Sequence, residues 1–454
     1  MSIKEILQKQ NIQVDEQEIN DFFIHSEDII SDFFKEKWNM YQQEQQAFVY
    51  QVRGNKIVLP NAKKDTEYST PFTIDNIGLP DIESFKIENL PDGLFYSEET
   101  ETISGIPSVA GDHKILLQCV SKKGHKAQKE LMLIVVPDPK DLWKNIPTQK
   151  SIQYYKDDSA QKFLKGDAKV HNVRKNMVAA SQRGRSHANE GTPRDDDFEM
   201  FFVEQTQWYI MTVADGAGSA KFSRRGSQIA CKTVVDICKD ELAAATLFEQ
   251  NIKQYWENKS EDTRKETYMA LHNIVGKAAY EAFKNINNEA QSEKCKTKDY
   301  ATTLKLVICK QFDFGWFVGA FWVGDGGIGI YNKDKAELKI MGEPDGGEFA
   351  GQTRFLTMPE IFQDRPRTRF EIVDDFTAII LMTDGVTDPK FETDANLNRI
   401  EKWNELWDDL NGNNDELVKV DFSYENEQPH EQLLKWLDFW SKGNHDDRTI
   451  AILY

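Results

Sequence analysis

The stretch AIILMTDG, residues 378–385, is a continuous apolar run that ends on aspartate and glycine. The stretches WYIMTVADG, residues 208–216, and AFWVGDG, residues 320–326, repeat this arrangement. A continuous apolar run of this length predicts a strand buried on both faces, as in a sandwich of sheets. A single Asp-Gly pair is also typical of a hairpin turn, because both residues tolerate positive φ. Three such strand ends together favour a sheet rim at which several carboxylates converge.

Converging carboxylates predict a metal site. Without a counter-charge they raise one another's pKa, and a bound hard cation removes that conflict. Oxygen ligands select Mg²⁺ or Mn²⁺, whereas zinc normally recruits His or Cys, and the eight histidines show no His-x-x-x-His spacing. A further acidic run, Asp195-Asp196-Asp197, stands just before an apolar strand. The run is either a solvated loop or part of the same rim, and the sequence alone leaves both open.

Composition limits the class of protein. The chain has 454 residues, which at roughly 100–200 residues per domain predicts two or three domains. A formal net charge of −19 argues against nucleic acid or an anionic membrane as the main partner. The charged N-terminus predicts no signal peptide, and no apolar stretch reaches the length of a membrane span. Five scattered cysteines without a Cys-x-x-Cys pair predict a reduced, cytoplasmic protein.

The first part of the chain divides into three segments. Residues 1–50 are predicted to be helical, with Ser26 as a candidate cap and an aromatic stripe that favours a packing face. This segment carries 10 acidic and 4 basic side chains, a net charge of −6. Residues 51–137 alternate short strand-like stretches, such as 56–59 and 114–117, with Pro and Gly turns. Residues 138–168 are interpreted as a linker with some local helix.

The second segment also carries a resemblance. The stretch NLPDGLFYSEETETISGIPSVAGDHKILLQC, residues 89–119, is similar to immunoglobulin-like modules of bacterial multidomain proteins. The resemblance implies a small all-β sandwich that serves as a spacer or a docking surface.

Residues 169–454 form the remaining segment, a mixed α/β domain in which one long helix begins near Ser260. Its motifs occur in a fixed order: SHANEGTPRDDDF, VADGAGSA, YATTL, FWVGDGG, GEFAGQTRFLT, LMTDGVTD and NHDDRTIAIL. This ordered set resembles the metal-dependent serine/threonine protein phosphatases of type 2C, in their bacterial branch, over about residues 175–454. The resemblance implies an α+β fold in which two antiparallel sheets pack as a sandwich flanked by helices, with a metal centre at one end.

The resemblance also implies metal ligands for two or three Mn²⁺ or Mg²⁺ ions. The first ion would be held by Asp215, Asp384 and Asp446, the second by Asp215, the Gly216 carbonyl, Asp195 and Asp196, and a weaker third by Asp325 and Asp388. A hydroxide that bridges two ions would attack the phosphorus of a phosphoserine or phosphothreonine in line. No Cys-x5-Arg loop is present, so the common cysteine-based phosphatase mechanism is not expected. Residues 334–366 would form a flap beside the active site.

Two positions depart from the family pattern. Many members have His directly after the first Asp-Gly, where this chain has Ala217, so His187 is the candidate proton donor. The usual phosphate-gripping arginine is replaced by Gly191, and Arg185, with Arg183 or Arg194 as alternatives, is the candidate substitute. An alternative register over 189–190 would place Gly191 where an acid is needed, so Asp195 and Asp196 are preferred.

Three hypotheses about function follow. The first is an active phosphatase whose substrate is a phosphoprotein. The second is a catalytically inactive phosphatase-like module that binds phosphoproteins or partner proteins, since the family's His and Arg are missing. In the third, the first 140 or so residues target the phosphatase to a partner kinase or its substrate.

Overall fold

The computed structural model describes residues 3–166, 175–345, 353–363 and 365–454. The chain forms two compact units, Met1–Leu142 and Trp143–Tyr454. Among the described residues, no helix combines the length and the apolar character needed to cross a lipid bilayer.

The first unit begins with helices and continues as strands. Its elements are α1 Ile3–Lys9, α2 Glu16–Gly54, β1 Ala62–Lys63, β2 Tyr68–Pro71, α3 Ile74–Ile77, β3 Ile82–Glu88, β4 Leu94–Ser97, β5 Thr102–Gly105, β6 Gly111–Ser121 and β7 Lys126–Val136. A short 3₁₀ helix, Pro139–Leu142, follows. Helix α2 starts at Asp15, whose side chain accepts the N–H of Glu18 while the Glu18 side chain accepts that of Asp15. The candidate cap Ser26 instead lies inside this helix, because the Asp15–Glu18 capping box begins it eleven residues earlier, at Asp15.

The aromatic stripe of α2 is largely exposed. Phe48 and Val52 near the end of the helix are buried in the core of the first unit. Phe33, Phe34 and Trp38 are 53%, 58% and 61% exposed. Of the predicted stripe, Tyr41 packs against the ring of the buried His125, and the buried residues Phe48 and Val52 lie beyond the stripe.

The β part of the first unit contains a four-stranded sheet, in the order β1-β7-β6-β3, and a three-stranded sheet, β2-β5-β4. Residues 114–117 lie in β6 as predicted, whereas residues 56–59 form no strand because α2 extends to Gly54. The similarity to immunoglobulin-like modules stays a prediction.

The second unit has eleven strands among the described residues. They are β8 Ser159–Lys165, β9 Asn176–Gln182, β10 Asp197–Val203, β11 Trp208–Ala214, β12 Leu304–Phe312, β13 Gly315–Val323, β14 Gly327–Asn332, β15 Glu337–Gly342, β16 Thr368–Val373, β17 Ala378–Met382 and β18 Arg448–Leu453. The helices are α4 Arg185–Glu190, α5 Ser223–Leu242, α6 Thr246–Glu257, α7 Glu261–Ser292, α8 Asp384–Phe391, α9 Ile400–Leu410 and α10 Pro429–Leu437. Three 3₁₀ helices complete the set: Thr297–Tyr300, Pro359–Phe362 and Asp394–Asn398. Ser260 caps α7, as the sequence predicts.

These strands form two antiparallel sheets. One has the order β10-β11-β12-β13-β16 and the other β15-β14-β17-β18-β9-β8. Alternate residues of a strand face opposite sides of its sheet. In β11, Met211 and Val213 therefore join the core between the sheets, whereas Ile210 joins the core beneath α5, α6 and α7. Helices α8, α9 and α10 cover the other sheet in the same way. The predicted α+β sandwich flanked by helices is confirmed, and burial on both faces explains the continuous apolar runs.

The segment interpreted as a linker, residues 138–168, contributes to the second unit. Its residues 159–165 form β8, which pairs with β9 along seven positions. The compact unit begins at Trp143, so the boundary lies well before residue 169. Residues 167–174 lie outside the described part of the chain.

Candidate active site

The strand register brings the acidic strand ends to one edge of the sandwich. Asp197 of β10 lies opposite Ala214 of β11, so Asp196 and Asp215 follow at the same edge. In the other sheet Gly327 lies opposite Met382, which puts Asp325 and Asp384 next to this pairing. Three of these side chains meet, because carboxylate oxygens of Asp215, Asp325 and Asp384 lie within 4.8 Å of one another.

The last strand brings a second group to the site. Arg448 of β18 lies opposite Gln182 of β9, so the residues before β18 lie beside the loop after β9. Ligand atoms of His187, Asp446 and Asp447 lie within 4.8 Å of one another. The structure thus collects acidic residues that stand up to about 250 positions apart in the chain.

Several carboxylate oxygens at this edge of the sandwich lack a hydrogen-bond donor. Within the described residues, one oxygen each of Asp196, Asp325 and Asp384 is buried and accepts no hydrogen bond. The other oxygen of Asp196 accepts the Thr383 hydroxyl at 2.9 Å, and the other oxygen of Asp325 accepts that of Thr353 at 2.6 Å. Buried oxygens without a donor are costly, and a bound cation could satisfy them.

Burial and the mutual repulsion of these carboxylates favour their protonated forms. Burial, and then the charges of Asp384 and Asp196, raise the pKa of Asp215 well above its usual range. Burial and the neighbouring Asp447 raise the pKa of Asp196 to about 7. Burial, followed by Asp325 and Asp446, raises the pKa of Asp384. A divalent cation at this edge would reverse these shifts, since an opposite charge favours the ionised form.

Asp447 has a different role from its neighbour Asp446. One oxygen of Asp447 accepts the backbone N–H of Gly184 at 2.6 Å, and the other accepts those of Asp195 at 2.5 Å and Asp196 at 3.3 Å. A buried carboxylate that accepts three backbone N–H groups fixes the loop that supplies them. The sequence shows the pair of acids but carries no signal that separates these roles.

His187 lies beside Asp195. Its Nδ1 is 2.8 Å from the Pro193 carbonyl, which fixes the ring, and its Nε2 is 4.0 Å from an Asp195 oxygen. Burial lowers the pKa of His187, but the Asp447 and Asp195 carboxylates outweigh burial and raise the pKa to about 8. The imidazolium form is therefore favoured at neutral pH.

The backbone around Gly216 is tightly packed. The Asp215 carbonyl accepts the Thr303 N–H at 2.8 Å and the Thr302 hydroxyl at 2.9 Å. A Cβ at Gly216 would lie 2.7 Å from the Asp195 carbonyl oxygen, so glycine is required for the two acidic loops to approach.

The structure does not bring Arg185 to the cluster. Its guanidinium donates to the Asp438 carboxylate at 3.0 Å and lies over the Trp440 ring. The alternatives Arg183 and Arg194 are buried and donate to neutral groups and, for Arg183, to Asp158. Arg224, which the sequence reasoning missed, donates to an Asp195 oxygen at 3.2 Å.

The remaining predicted residues lie at the margin of the site. Burial and Asp325 raise the pKa of Asp388, whose carboxylate accepts the Asn444 amide at 3.4 Å. Of the predicted flap, residues 346–352 and 364 lie outside the described residues. Thr353, from the same tract, donates to Asp325.

The donor set fits a hard divalent cation. It consists of carboxylate and backbone oxygens, which are the ligands of Mg²⁺ and Mn²⁺, and the cluster has unpartnered oxygens and raised pKa values. None of the five cysteines takes part, since all are free and four are buried.

The comparisons with known proteins identify the family. The profile of the Protein phosphatase 2C family matches residues 183–438, which is more than half of the chain. The chain belongs to this family. No curated protein sequence matches it.

Several solved structures are similar to this chain. A bacterial serine phosphatase is 14% identical, with 61% of this chain and 96% of that chain covered at a TM-score of 0.37. The serine/threonine phosphatase of S. agalactiae is 13% identical over 62% of this chain and 99% of its own, also at 0.37. Stp1 of Staphylococcus aureus is 12% identical over 67% and 98%, at 0.34.

Proposed function

We propose that this chain is a metal-dependent protein phosphatase that hydrolyses phosphoserine and phosphothreonine monoesters. The observation that carries the proposal is the convergence of Asp215, Asp325 and Asp384, whose carboxylate oxygens lie within 4.8 Å of one another. Membership of the Protein phosphatase 2C family supports the reaction class.

Two Mn²⁺ or Mg²⁺ ions, with a weaker third, are proposed as cofactors. The proposed ligands are Asp215, Asp384 and Asp446 for the first ion, Asp215, the Gly216 carbonyl, Asp195 and Asp196 for the second, and Asp325 and Asp388 for the third. When bound, such ions supply Lewis acidity for an attacking water and positive charge for a phosphate dianion. Asp447 keeps Asp195 and Asp196 in place, because its carboxylate accepts both of their backbone N–H groups.

His187 is the proposed proton donor to the leaving alcohol. Its Nδ1 proton is committed to the Pro193 carbonyl, which leaves Nε2 as the nitrogen next to the carboxylates. A pKa of about 8 keeps that nitrogen protonated at neutral pH, as a general acid requires.

Arg224 is the proposed contact for the substrate phosphate, in place of Arg185. Its Nη1 donates to Asp195 and its Nε donates to the Gln153 carbonyl at 3.3 Å. A guanidinium has five N–H donors in a fork that suits phosphate, so donors remain for a ligand. Arg185 instead donates through Nη2 to the carbonyl and the carboxylate of Asp438, away from the carboxylate cluster.

The direct test is hydrolysis of p-nitrophenyl phosphate and of a phosphothreonine peptide with added Mn²⁺. EDTA and Asp215→Asn are each expected to abolish turnover, while Asp240→Asn, an exposed acid on α5, serves as the matched control. Full turnover in EDTA or in Asp215→Asn would contradict the proposed mechanism.

The alternative is an inactive phosphatase-like module that binds phosphoproteins or partner proteins. The observation in its favour is Ala217, an apolar, buried residue next to Gly216. Calorimetry separates the two functions, because an inactive module of this kind need not bind Mn²⁺ whereas the enzyme must.

The first unit is proposed to dock a phosphoprotein or a partner kinase. The exposed apolar face of α2, made of Phe22, Ile29, Phe33 and Met40, supports this role, because large exposed apolar patches mark interaction sites. A cytoplasmic location is part of the proposal, and the free cysteines support a reducing compartment.

A further inference from the structure

Lys156 is a buried cation that none of the sequence motifs contains. It lies before β8, in the segment interpreted as a linker, and is 7% exposed. Its Nζ donates to the Asp196 carbonyl oxygen at 3.0 Å and to the Ser227 hydroxyl at 3.0 Å. The same Nζ lies 2.9 Å from an Asp197 carboxylate oxygen.

The contacts of Lys156 extend to the whole acidic run. Ser227, which accepts from Lys156, donates its hydroxyl to the Asp195 carbonyl at 2.5 Å. Lys156 therefore contacts Asp196 and Asp197 directly and Asp195 through a single hydroxyl.

The backbone of Asp195 and Asp196 is held by hydrogen bonds at both its N–H and its carbonyl groups. The Asp447 carboxylate accepts the N–H groups of both residues. Ser227 donates to the Asp195 carbonyl oxygen, and Lys156 and Arg194 donate to that of Asp196. The described hydrogen bonds and ion pairs of Lys156 do not include the carboxylates of Asp195 and Asp196, which accept from Arg224 and Thr383 respectively.

We propose that Lys156 is a positioning residue that sets the Asp195–Asp196 pair in the geometry needed for cation binding, an inference that rests on the proposed function. Removing a residue that orients a metal ligand by a hydrogen bond lowers metal affinity about 10–100-fold. Lys156 would act through the backbone, so it needs no contact with the ion or the substrate.

Lys162 is the matched control. It lies in β8, forms an ion pair with Glu199 at 2.5 Å, and donates to the Met200 carbonyl at 2.8 Å. It therefore makes the same kinds of contact with β10, but beyond the acidic run. A purely structural lysine at 156 would behave as Lys162 does.

The experiment measures Mn²⁺ affinity by calorimetry and the melting temperature in EDTA for Lys156→Met, Lys156→Arg and Lys162→Met. Lys156→Met is expected to weaken Mn²⁺ binding about 10–100-fold, with Lys156→Arg closer to wild type because the charge is kept. Lys162→Met is expected to lower the melting temperature without changing Mn²⁺ affinity. Should Lys156→Met fail to fold, Ser227→Ala decides, since it removes the hydroxyl through which Lys156 reaches Asp195 and keeps the lysine itself.

Two results would overturn the inference. If folded Lys156→Met binds Mn²⁺ with wild-type affinity, the positioning role of Lys156 is excluded and the proposed function is unaffected. If Lys156→Met does not fold, wild-type Mn²⁺ affinity in Ser227→Ala has the same meaning. A wild-type chain that binds no Mn²⁺ would overturn the proposed function together with this inference.

Discussion

The carboxylate of Asp447 accepts the backbone N–H of Asp195 at 2.5 Å, across 252 positions of sequence. This bond joins the loop before β18 to the acidic run before β10. Asp446, one residue earlier, belongs to the group of possible metal ligands with His187, and Asp447 completes the same group. Asp447 in addition accepts the backbone N–H groups of Gly184, Asp195 and Asp196, whereas Asp446 accepts that of Asp447, and mutation can distinguish these roles.

Asp447→Asn is expected to unfold more easily than wild type even in EDTA. The amide presents one acceptor where the carboxylate uses two oxygens, and hydrogen bonds to a charged group each contribute about 1.5–3 kcal/mol. Asp446→Asn is expected to keep or gain stability in EDTA, because it removes a repelling charge, and to lose Mn²⁺ affinity. Urea denaturation measures the first effect and calorimetry the second. Equal stability of the two variants would contradict the assignment.

Metal-free protein is expected to lose stability as the pH rises from about 4 to about 8. The pKa of Asp196 rises from 3.8 in the unfolded chain to about 7 in the folded one, so the folded state binds its proton more tightly. Stability is then greatest below the unfolded pKa and falls as the pH passes the folded value. The pKa of His187 is raised from 6.5 to about 8, so its deprotonation also lowers the stability of the folded state as the pH rises.

Melting curves in EDTA across this pH range test that expectation. Asp196→Asn should reduce the slope of melting temperature against pH, whereas Asp240→Asn should leave it unchanged. Saturating Mn²⁺ should raise the melting temperature most at the alkaline end, where the carboxylates are ionised. A melting temperature that does not respond to Mn²⁺ would count against the site.

His187→Gln is expected to slow hydrolysis of a phosphothreonine peptide far more than that of p-nitrophenyl phosphate. An alkoxide is a poor leaving group that needs a proton, whereas p-nitrophenolate leaves without one, and general acid catalysis contributes about 100–10,000-fold. Wild-type activity on the peptide should decline as the pH rises past the pKa of His187 in the metal-loaded enzyme, because the neutral ring has no proton to donate from Nε2. Equal losses on both substrates would indicate that His187 only supports the loop.

Phe33→Glu is expected to reduce turnover of a phosphoprotein fraction while leaving p-nitrophenyl phosphate hydrolysis unchanged. Phe33 belongs to the exposed apolar face of α2 and is 53% exposed. Ile24→Glu is the matched control, since Ile24 is 72% exposed on the same helix but lies on its opposite side. A similar loss in both variants, or in neither, would exclude this face as the docking surface.

Thiol alkylation is expected to leave activity unchanged. Burial raises the pKa of Cys119 to about 11 and that of Cys231 well above its usual range, so neither forms a reactive thiolate. Incubation with iodoacetamide under native conditions, followed by the p-nitrophenyl phosphate assay, checks this. Inactivation that substrate prevents would point to a cysteine in the site.

Much of the site could be predicted from sequence because its elements are encoded locally. The runs before Asp215 and Asp384 are apolar except for Thr212 and Thr383, and the structure buries each of these strands between a sheet and a helix layer. The carboxylates follow directly, so their place at the strand ends requires no knowledge of distant residues. The start of α2 was missed because the Asp15–Glu18 capping box, not Ser26, begins the helix.

By itself, the sequence determined the sandwich, the family and the acidic strand ends, since apolar periodicity and motif order are properties of neighbouring residues. Only the tertiary structure decided which acid of the 446–447 pair fixes a loop, that Arg185 pairs with Asp438, and that Lys156 reaches Asp196. These are choices of hydrogen-bond partner between residues up to about 250 positions apart. Strand register sets the distances between them, and no local pattern contains that information.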